Sequence, residues 1–130
     1  MAKIRVLLAD DNEAVLAELR QQLGNEFEIV GSVEDGEEAI SAVQQLDPDV
    51  LILDISMPVI DGLQAASRLR DAHCRTRIIF FSIHEQREYV SAAFAAGANG
   101  YVAKRHLTDL AAAIRKVSQG HSFVSPSLQR

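Results

Sequence analysis

Short apolar runs alternate with stretches of helical period along the whole chain, and this alternation restricts the fold more than any other feature. The runs Ile4–Ala9, Phe27–Ser32, Val50–Leu53, Ile78–Ser82 and Gly100–Ala103 are short, and several lack polar alternation. Strands of that kind are covered on both faces, as in a parallel sheet. Parallel neighbours need a crossover of about a dozen residues or more, usually a helix, and the intervening stretches supply one each. Val15, Leu16, Leu19 and Leu23 form one apolar stripe, and Ala39, Ile40, Val43 and Leu46 a second. Leu63, Ala66, Leu69 and Arg70 mark a third helix and Tyr89, Val90, Ala93 and Phe94 a fourth, while Leu107, Leu110, Ala111, Ile114 and Val117 mark a fifth. The expectation is an α/β fold, a five-stranded parallel sheet with five helices on both faces, doubly wound as a single domain. Gly24, Gly97 and Gly120 stand where left-handed C-terminal caps are common. Thr108 or Asp109 suits the start of the fifth helix, and a start nearer Arg105 suits it equally. Residues 1–121 read as the domain, and Ser122–Arg130 reads as the start of a linker.

Composition closes off several function classes. A chain of 130 residues holds one domain, and 48% hydrophobic with 24% charged residues is the balance of an ordinary globular protein. The longest uninterrupted apolar runs, Val6–Ala9 and Ile78–Phe81, are far too short to cross a bilayer, and Met1–Arg5 leads straight into the first strand without a secretory leader. No membrane association and a cytoplasmic location are therefore expected. The lone Cys74 offers no internal disulfide, and the formal charge of −5, with scattered basic residues, argues against gripping a nucleic-acid backbone unaided. His73, His106 and His121 show no metal-ligand spacing.

Parallel α/β sheets bind ligands beyond the carboxyl ends of their strands, so the residues just past each apolar run carry the functional information. Asp10 and Asp11 follow the first run, Asp54 follows the third, Ser82 ends the fourth and Lys104 follows the fifth. Taken singly, each has an ordinary explanation: an aspartate there commonly caps a helix, and Asp10 or Asp11 could do no more than that. Taken together they converge on one edge with three kinds of chemistry. Carboxylates gathered at one point repel one another, which raises a pKa or recruits a cation, and an oxygen-only donor set suits Mg²⁺ or Mn²⁺. Beside a metal, a lysine and a hydroxyl can receive the charge of a transferring phosphoryl group, leaving Asp54 as the nucleophile.

The segments Leu-Leu-Ala-Asp-Asp-Asn at 7–12, Leu-Ile-Leu-Asp-Ile-Ser-Met-Pro-Val-Ile-Asp-Gly at 51–62, Phe-Phe-Ser at 80–82 and Gly-Ala-Asn-Gly-Tyr-Val-Ala-Lys at 97–104 resemble the receiver domain of two-component response regulators. The resemblance runs from about Ile4 to Gly120. It implies a (βα)5 flavodoxin-like fold, phosphorylation on Asp54, and Mg²⁺ held by Asp11, Asp54 and the backbone carbonyl of Ser56, with Asp10 acting largely through water. It also implies that Ser82 is the switch hydroxyl, Tyr101 the aromatic that turns inward with it, and Lys104 the phosphate-pairing cation. The partners implied are a sensor histidine kinase or phosphotransfer protein, and a second copy of the chain is a further candidate. Arg105 stands where many receivers carry a proline after a cis peptide; a cis bond before a non-proline residue costs about 3 kcal/mol, which leaves the backbone after Lys104 open. Together with the Gly120-His-Ser-Phe-Val-Ser-Pro-Ser tail, this departure resembles the FixJ/NarL branch, whose receivers precede a helix-turn-helix domain. DNA would then be contacted only through an effector beyond Arg130.

His84, two residues past Ser82, would flank the phosphoryl group together with Ser56 where hydrolytic water approaches. It reads equally well as a solvated loop histidine. Two other functions compete. An aspartate-nucleophile phosphohydrolase shares the fold and the metal, but wants an acid two residues after the nucleophile, where Ser56 stands. A phosphorylation-independent interaction module would keep the fold and dispense with the acidic set. The expected chemistry is therefore self-phosphorylation from phosphodonors and slow self-dephosphorylation, without enzymatic turnover.

Overall fold

Each apolar run becomes a strand and each amphipathic stretch a helix in the computed structural model, which describes residues 2–129. In chain order these are β1 (Arg5–Ala9), α1 (Glu13–Leu23), β2 (Glu28–Val33), α2 (Gly36–Leu46), β3 (Val50–Leu53), α3 (Gly62–Asp71), β4 (Arg77–Ser82), α4 (Arg87–Ala95), β5 (Gly100–Ala103) and α5 (Leu110–Ser118). A short β6 (Phe123–Val124) follows. All pairings are parallel, in the order β2-β1-β3-β4-β5-β6. Among the described residues no helix is long and apolar enough to cross a membrane.

Alternation along the strands sorts the core into two layers. Leu7, Ala9, Leu51, Leu53, Ile78, Phe80 and Tyr101 face α2, α3 and α4. Their neighbours Val6, Leu8, Val50, Ile52, Ile79, Phe81 and Val102 face the Leu16, Leu19 and Leu23 stripe of α1 and the Leu110, Ala113, Ile114 and Val117 stripe of α5. Both faces are apolar because both are covered, which is why these strands read as continuous runs. The chain steps from β1 outward to β2 and then back across to β3. The loops after β1 and β3 consequently diverge and leave a crevice between them, at the carboxyl edge of the sheet.

Three details depart from expectation. The sheet has six strands, because Phe123–Val124 adds to β5 within the segment taken as linker. Gly97 and Gly120 take positive φ after their helices (105° and 92°), but Gly24 is right-handed at φ −66°. Asp47 (φ 46°) and His73 (φ 57°) instead take the left-handed position after α2 and α3. Neither reading of the fifth helix holds in full: Lys104–Asp109 is a 3₁₀ turn kinked at His106, and α5 begins at Leu110 with no side-chain cap bond from Asp109. Among the described residues no peptide is cis, so the backbone after Lys104 is trans.

The β3–α3 loop carries one strained residue. Val59 sits at φ 71° with 73% of its surface exposed, a backbone region that costs a β-branched side chain about 1–3 kcal/mol and that asparagine tolerates. Val59→Asn is expected to stabilise the fold by about 1 kcal/mol, read as a raised urea midpoint at unchanged slope. An unchanged or lowered midpoint would show that the loop is not strained there.

Candidate functional site

The acidic crevice is built by register. Ala9 pairs with Leu53, and the Asp54 N–H donates to the Ala9 carbonyl (3.0 Å), so the residues that follow the two strands emerge side by side. Asp10 and Asp54 are nearly fully buried, whereas Asp11 is exposed. Each of the three can place a carboxylate oxygen within 4.8 Å of the other two. None of them is engaged as the cap of α1: Asn12 takes that role, its side chain accepting the N–H groups of Ala14 (2.9 Å) and Val15 (3.4 Å). The ordinary explanation for Asp10 and Asp11 is thereby removed.

Lys104 reaches the crevice from the end of β5, where Ser82 pairs with Ala103 and brings the next residue level with the site. Its ammonium lies 2.7 Å from Asp10 Oδ2 and 3.4 Å from Asp54 Oδ2. Asp10 Oδ1 accepts the Asn12 N–H at 2.9 Å, so both of its oxygens are engaged and the carboxylate is fixed in orientation. Burial pushes the Asp54 carboxyl above its ordinary pKa; Lys104 pulls it back, Asp10 pushes it further up, and burial prevails. Lys104 thus contacts two of the three carboxylates, and a hard divalent cation on Asp11 and Asp54 fits the remaining charge and the all-oxygen donor set.

Gly62 is required here for space. A Cβ at that position would overlap the Asp54 carbonyl oxygen, and the Gly62 N–H donates to the Ile55 carbonyl at 2.8 Å. Asp61 then caps α3 in a capping box, accepting the Gln64 N–H (2.8 Å) while Gln64 Oε1 accepts the Asp61 N–H (3.2 Å). The loop leading from Asp54 is consequently folded back against the Asp54 backbone itself.

Ser82, Tyr101 and His84 form a second group beside the crevice. Ser82 is fully buried, and its hydroxyl oxygen accepts the His84 N–H at 3.0 Å. Tyr101 is also fully buried, with its hydroxyl donating to the His84 carbonyl at 2.6 Å. Burial raises the phenol's pKa, and a hydrogen bond with Ser82 works against that rise; the group stays a donor. The His84 ring lies against the Tyr89 ring, with centroids 4.1 Å apart and planes 9° from parallel, and its Nε2 is 3.2 Å from Ser56 Oγ. His84 is half-buried, and its contacts link the β3–α3 and β4–α4 loops.

One contact that sequence reasoning missed lies next to Lys104. Arg105 forms a two-pronged ion pair with Glu85 (2.6 and 2.8 Å), fastening the 3₁₀ turn to the β4–α4 loop. That pair holds the Glu85 carboxyl below its usual range. The only sequence signal was a basic residue in place of an expected proline.

Comparison with known proteins agrees with this geometry. Residues 6–115 match the family model described as the response regulator receiver domain. The chain is 33% identical over 129 residues to the transcriptional regulatory protein DegU of Brevibacillus brevis, covering 97% of this chain and 55% of that protein. It is 38% identical over 128 residues to the transcriptional regulatory protein YvfU of Bacillus subtilis, covering 96% and 64% respectively. Among solved structures, a LuxR-family two-component response regulator from Aurantimonas superposes with a TM-score of 0.93 at 28% identity, covering 98% of this chain and 93% of that one. The chain spans less than two thirds of the length of these two curated relatives.

A carboxyl whose folded pKa lies above its unfolded value contributes stability that is complete below the unfolded pKa and lost as pH rises through the folded one. Asp54, raised by burial, is such a group. In EDTA at about pH 7, Asp54→Asn is expected to melt higher than the parent, and the gap should narrow as pH falls into the carboxylate range. Thermal melts across that range check it; a variant that melts lower at neutral pH would contradict the dominance of burial.

Proposed function

The chain belongs to the response regulator receiver family, and from that premise we propose that it is a signalling switch in which Asp54 accepts a phosphoryl group from a partner phosphohistidine. The observation that carries this reading is the contact of one ammonium, Lys104, with both Asp10 and Asp54 in a crevice where Asp11 completes an acidic set. A divalent cation, Mg²⁺ or Mn²⁺, held by Asp11, Asp54 and the Ser56 carbonyl with Asp10 acting through water, would supply charge neutralisation to the oxygens of the incoming group. Lowering the Asp54 pKa in this way would also keep the nucleophile ionised.

In the transfer an Asp54 carboxylate oxygen forms a bond to phosphorus in line with the breaking P–N bond, whose electron pair returns to the imidazole of the partner. Lys104 donates to the transferring oxygens, and the new negative charge replaces part of its attraction to Asp54. Ser82 would donate its hydroxyl hydrogen to the same group. Any shift of Ser82 moves the His84 N–H that it holds, and with it the carbonyl that receives the Tyr101 hydroxyl. In this reading the β4–α4 loop and the surface of α4, β5 and α5 would be the two-state element that phosphorylation biases.

We assign the protein to the cytoplasm, with a sensor histidine kinase or phosphotransfer protein as donor and self-association as a homodimer. Control of transcription would run through a helix-turn-helix effector beyond Arg130. This assignment draws on the relatives' names as transcriptional regulatory proteins and on their greater length. Its chemistry is limited to taking and slowly losing one phosphoryl group, without turnover of small phosphate esters.

The test is Mg²⁺-dependent phosphorylation by acetyl phosphate, followed by intact mass. The parent is expected to gain one phosphoryl group, Asp54→Asn none, and Lys104→Ala to react on the order of a hundredfold more slowly. Equal incorporation by Asp54→Asn would refute the nucleophile. A parent that takes no phosphoryl group would favour docking without phosphorylation. His84 and Ser56, whose side chains meet at 3.2 Å, are assigned to control of water access. His84→Ala should change the dephosphorylation half-life about threefold or more, within the range of a single positioned group; an unchanged half-life removes that role.

A further inference from the structure

Ser125 lies in the tail that follows α5, far in sequence from every motif residue, and it is fully buried. Its N–H donates to the Tyr101 carbonyl (3.0 Å), and its hydroxyl oxygen accepts the N–H of Ala103 (3.1 Å). These two bonds bracket the last residues of β5, and the residue after Ala103 is Lys104. The register of β6 against β5 stops at Tyr101↔Val124, and Pro126 follows Ser125 and opens a 3₁₀ turn. No further backbone group continues this ladder to Ala103, so a side-chain oxygen does its work.

The tail that presents this oxygen is itself held. Gln129 Nε2 donates to the Val124 carbonyl (2.6 Å), and Leu128 packs against the core layer that contains Tyr101. Ser127 Oγ lies 3.4 Å from His106 Nδ1, in the same 3₁₀ turn that carries the Arg105–Glu85 pair.

We propose that Ser125 is a positioning residue for Lys104: by fixing the Ala103 peptide it sets the point from which the ammonium reaches Asp10 and Asp54. The inference rests on the phosphoacceptor reading of Asp54. It makes the tail after α5 part of the support of the site.

A buried hydroxyl at a strand edge also contributes ordinary stability, and a double-mutant cycle separates the two roles. The rate of phosphorylation by acetyl phosphate with Mg²⁺ is measured on the full chain for Ser125→Ala, Lys104→Ala and the double variant, with thermal melts alongside. Ser125→Ala is expected to slow the reaction about fivefold or more in the parent, and less than about twofold in the Lys104→Ala background, because its effect passes through the lysine. Ser125→Thr, which keeps the hydroxyl, should restore the rate. Equal slowing in both backgrounds, or none in the parent, overturns the proposal and leaves the role of Asp54 standing. A parent that takes no phosphoryl group overturns both. Should Ser125→Ala fail to fold, the isosteric pair Ser125→Thr and Ser125→Val carries the comparison: a slower valine variant supports the proposal and equal rates refute it.

Discussion

Three carboxylates gathered at one crevice, with the Lys104 ammonium against two of them, form the interaction on which this molecule turns. Such an arrangement is unfavourable by itself, since burial raises the Asp54 pKa and Asp10 adds to the rise. The rest of the fold keeps it in place. The β1–β3 register sets Asp10 beside Asp54, and Asn12 takes over the capping of α1 and so frees the aspartates. Gly62 lets the following loop pass within contact of the Asp54 carbonyl. A stable apolar sheet covered on both faces is what makes the charge crowding tolerable. The crowding in turn gathers an all-oxygen donor set at one point of the crevice.

Much of this was legible in the sequence because it depends on periodicity. The five apolar runs and five amphipathic stripes place the elements, and the rule that ligands gather at the carboxyl ends of parallel strands picks out Asp10, Asp11, Asp54, Ser82 and Lys104 without any contact being known. What could not be read depends on long-range pairing or on local competition between equivalent residues. β6 is two residues long and exists because β5 offers it an edge; within Ser122–Arg130, rich in serine, nothing in the local pattern distinguishes a strand from a linker. The Arg105–Glu85 fork joins residues 20 apart. Helix ends were similarly ambiguous, with Asp47 and His73 taking left-handed positions where glycine was the natural expectation and Gly24 declining one.

The Arg105–Glu85 pair and the β6 tail share a location. Glu85, Arg105, His106, Ser125 and Ser127 connect the β4–α4 loop, the turn after β5 and the tail into one network beside Ser82 and Tyr101. The motif residues set the charges of the crevice, and this network bonds the neighbouring segments to one another. That division explains why the first group is visible as pattern and the second is not: chemistry needs particular side chains at strand ends, whereas coupling needs only that neighbouring segments be bonded to one another.

The central claim is that Asp54 is the residue that carries the phosphoryl group, and locating the modified side chain tests it most directly. After reaction with acetyl phosphate and Mg²⁺, borohydride reduction of an aspartyl phosphate leaves homoserine, which peptide mass spectrometry can place. Homoserine is expected at position 54 and at no other aspartate. Homoserine at position 10 or 11 instead, or a phosphoryl group recovered on a serine or histidine, would contradict it.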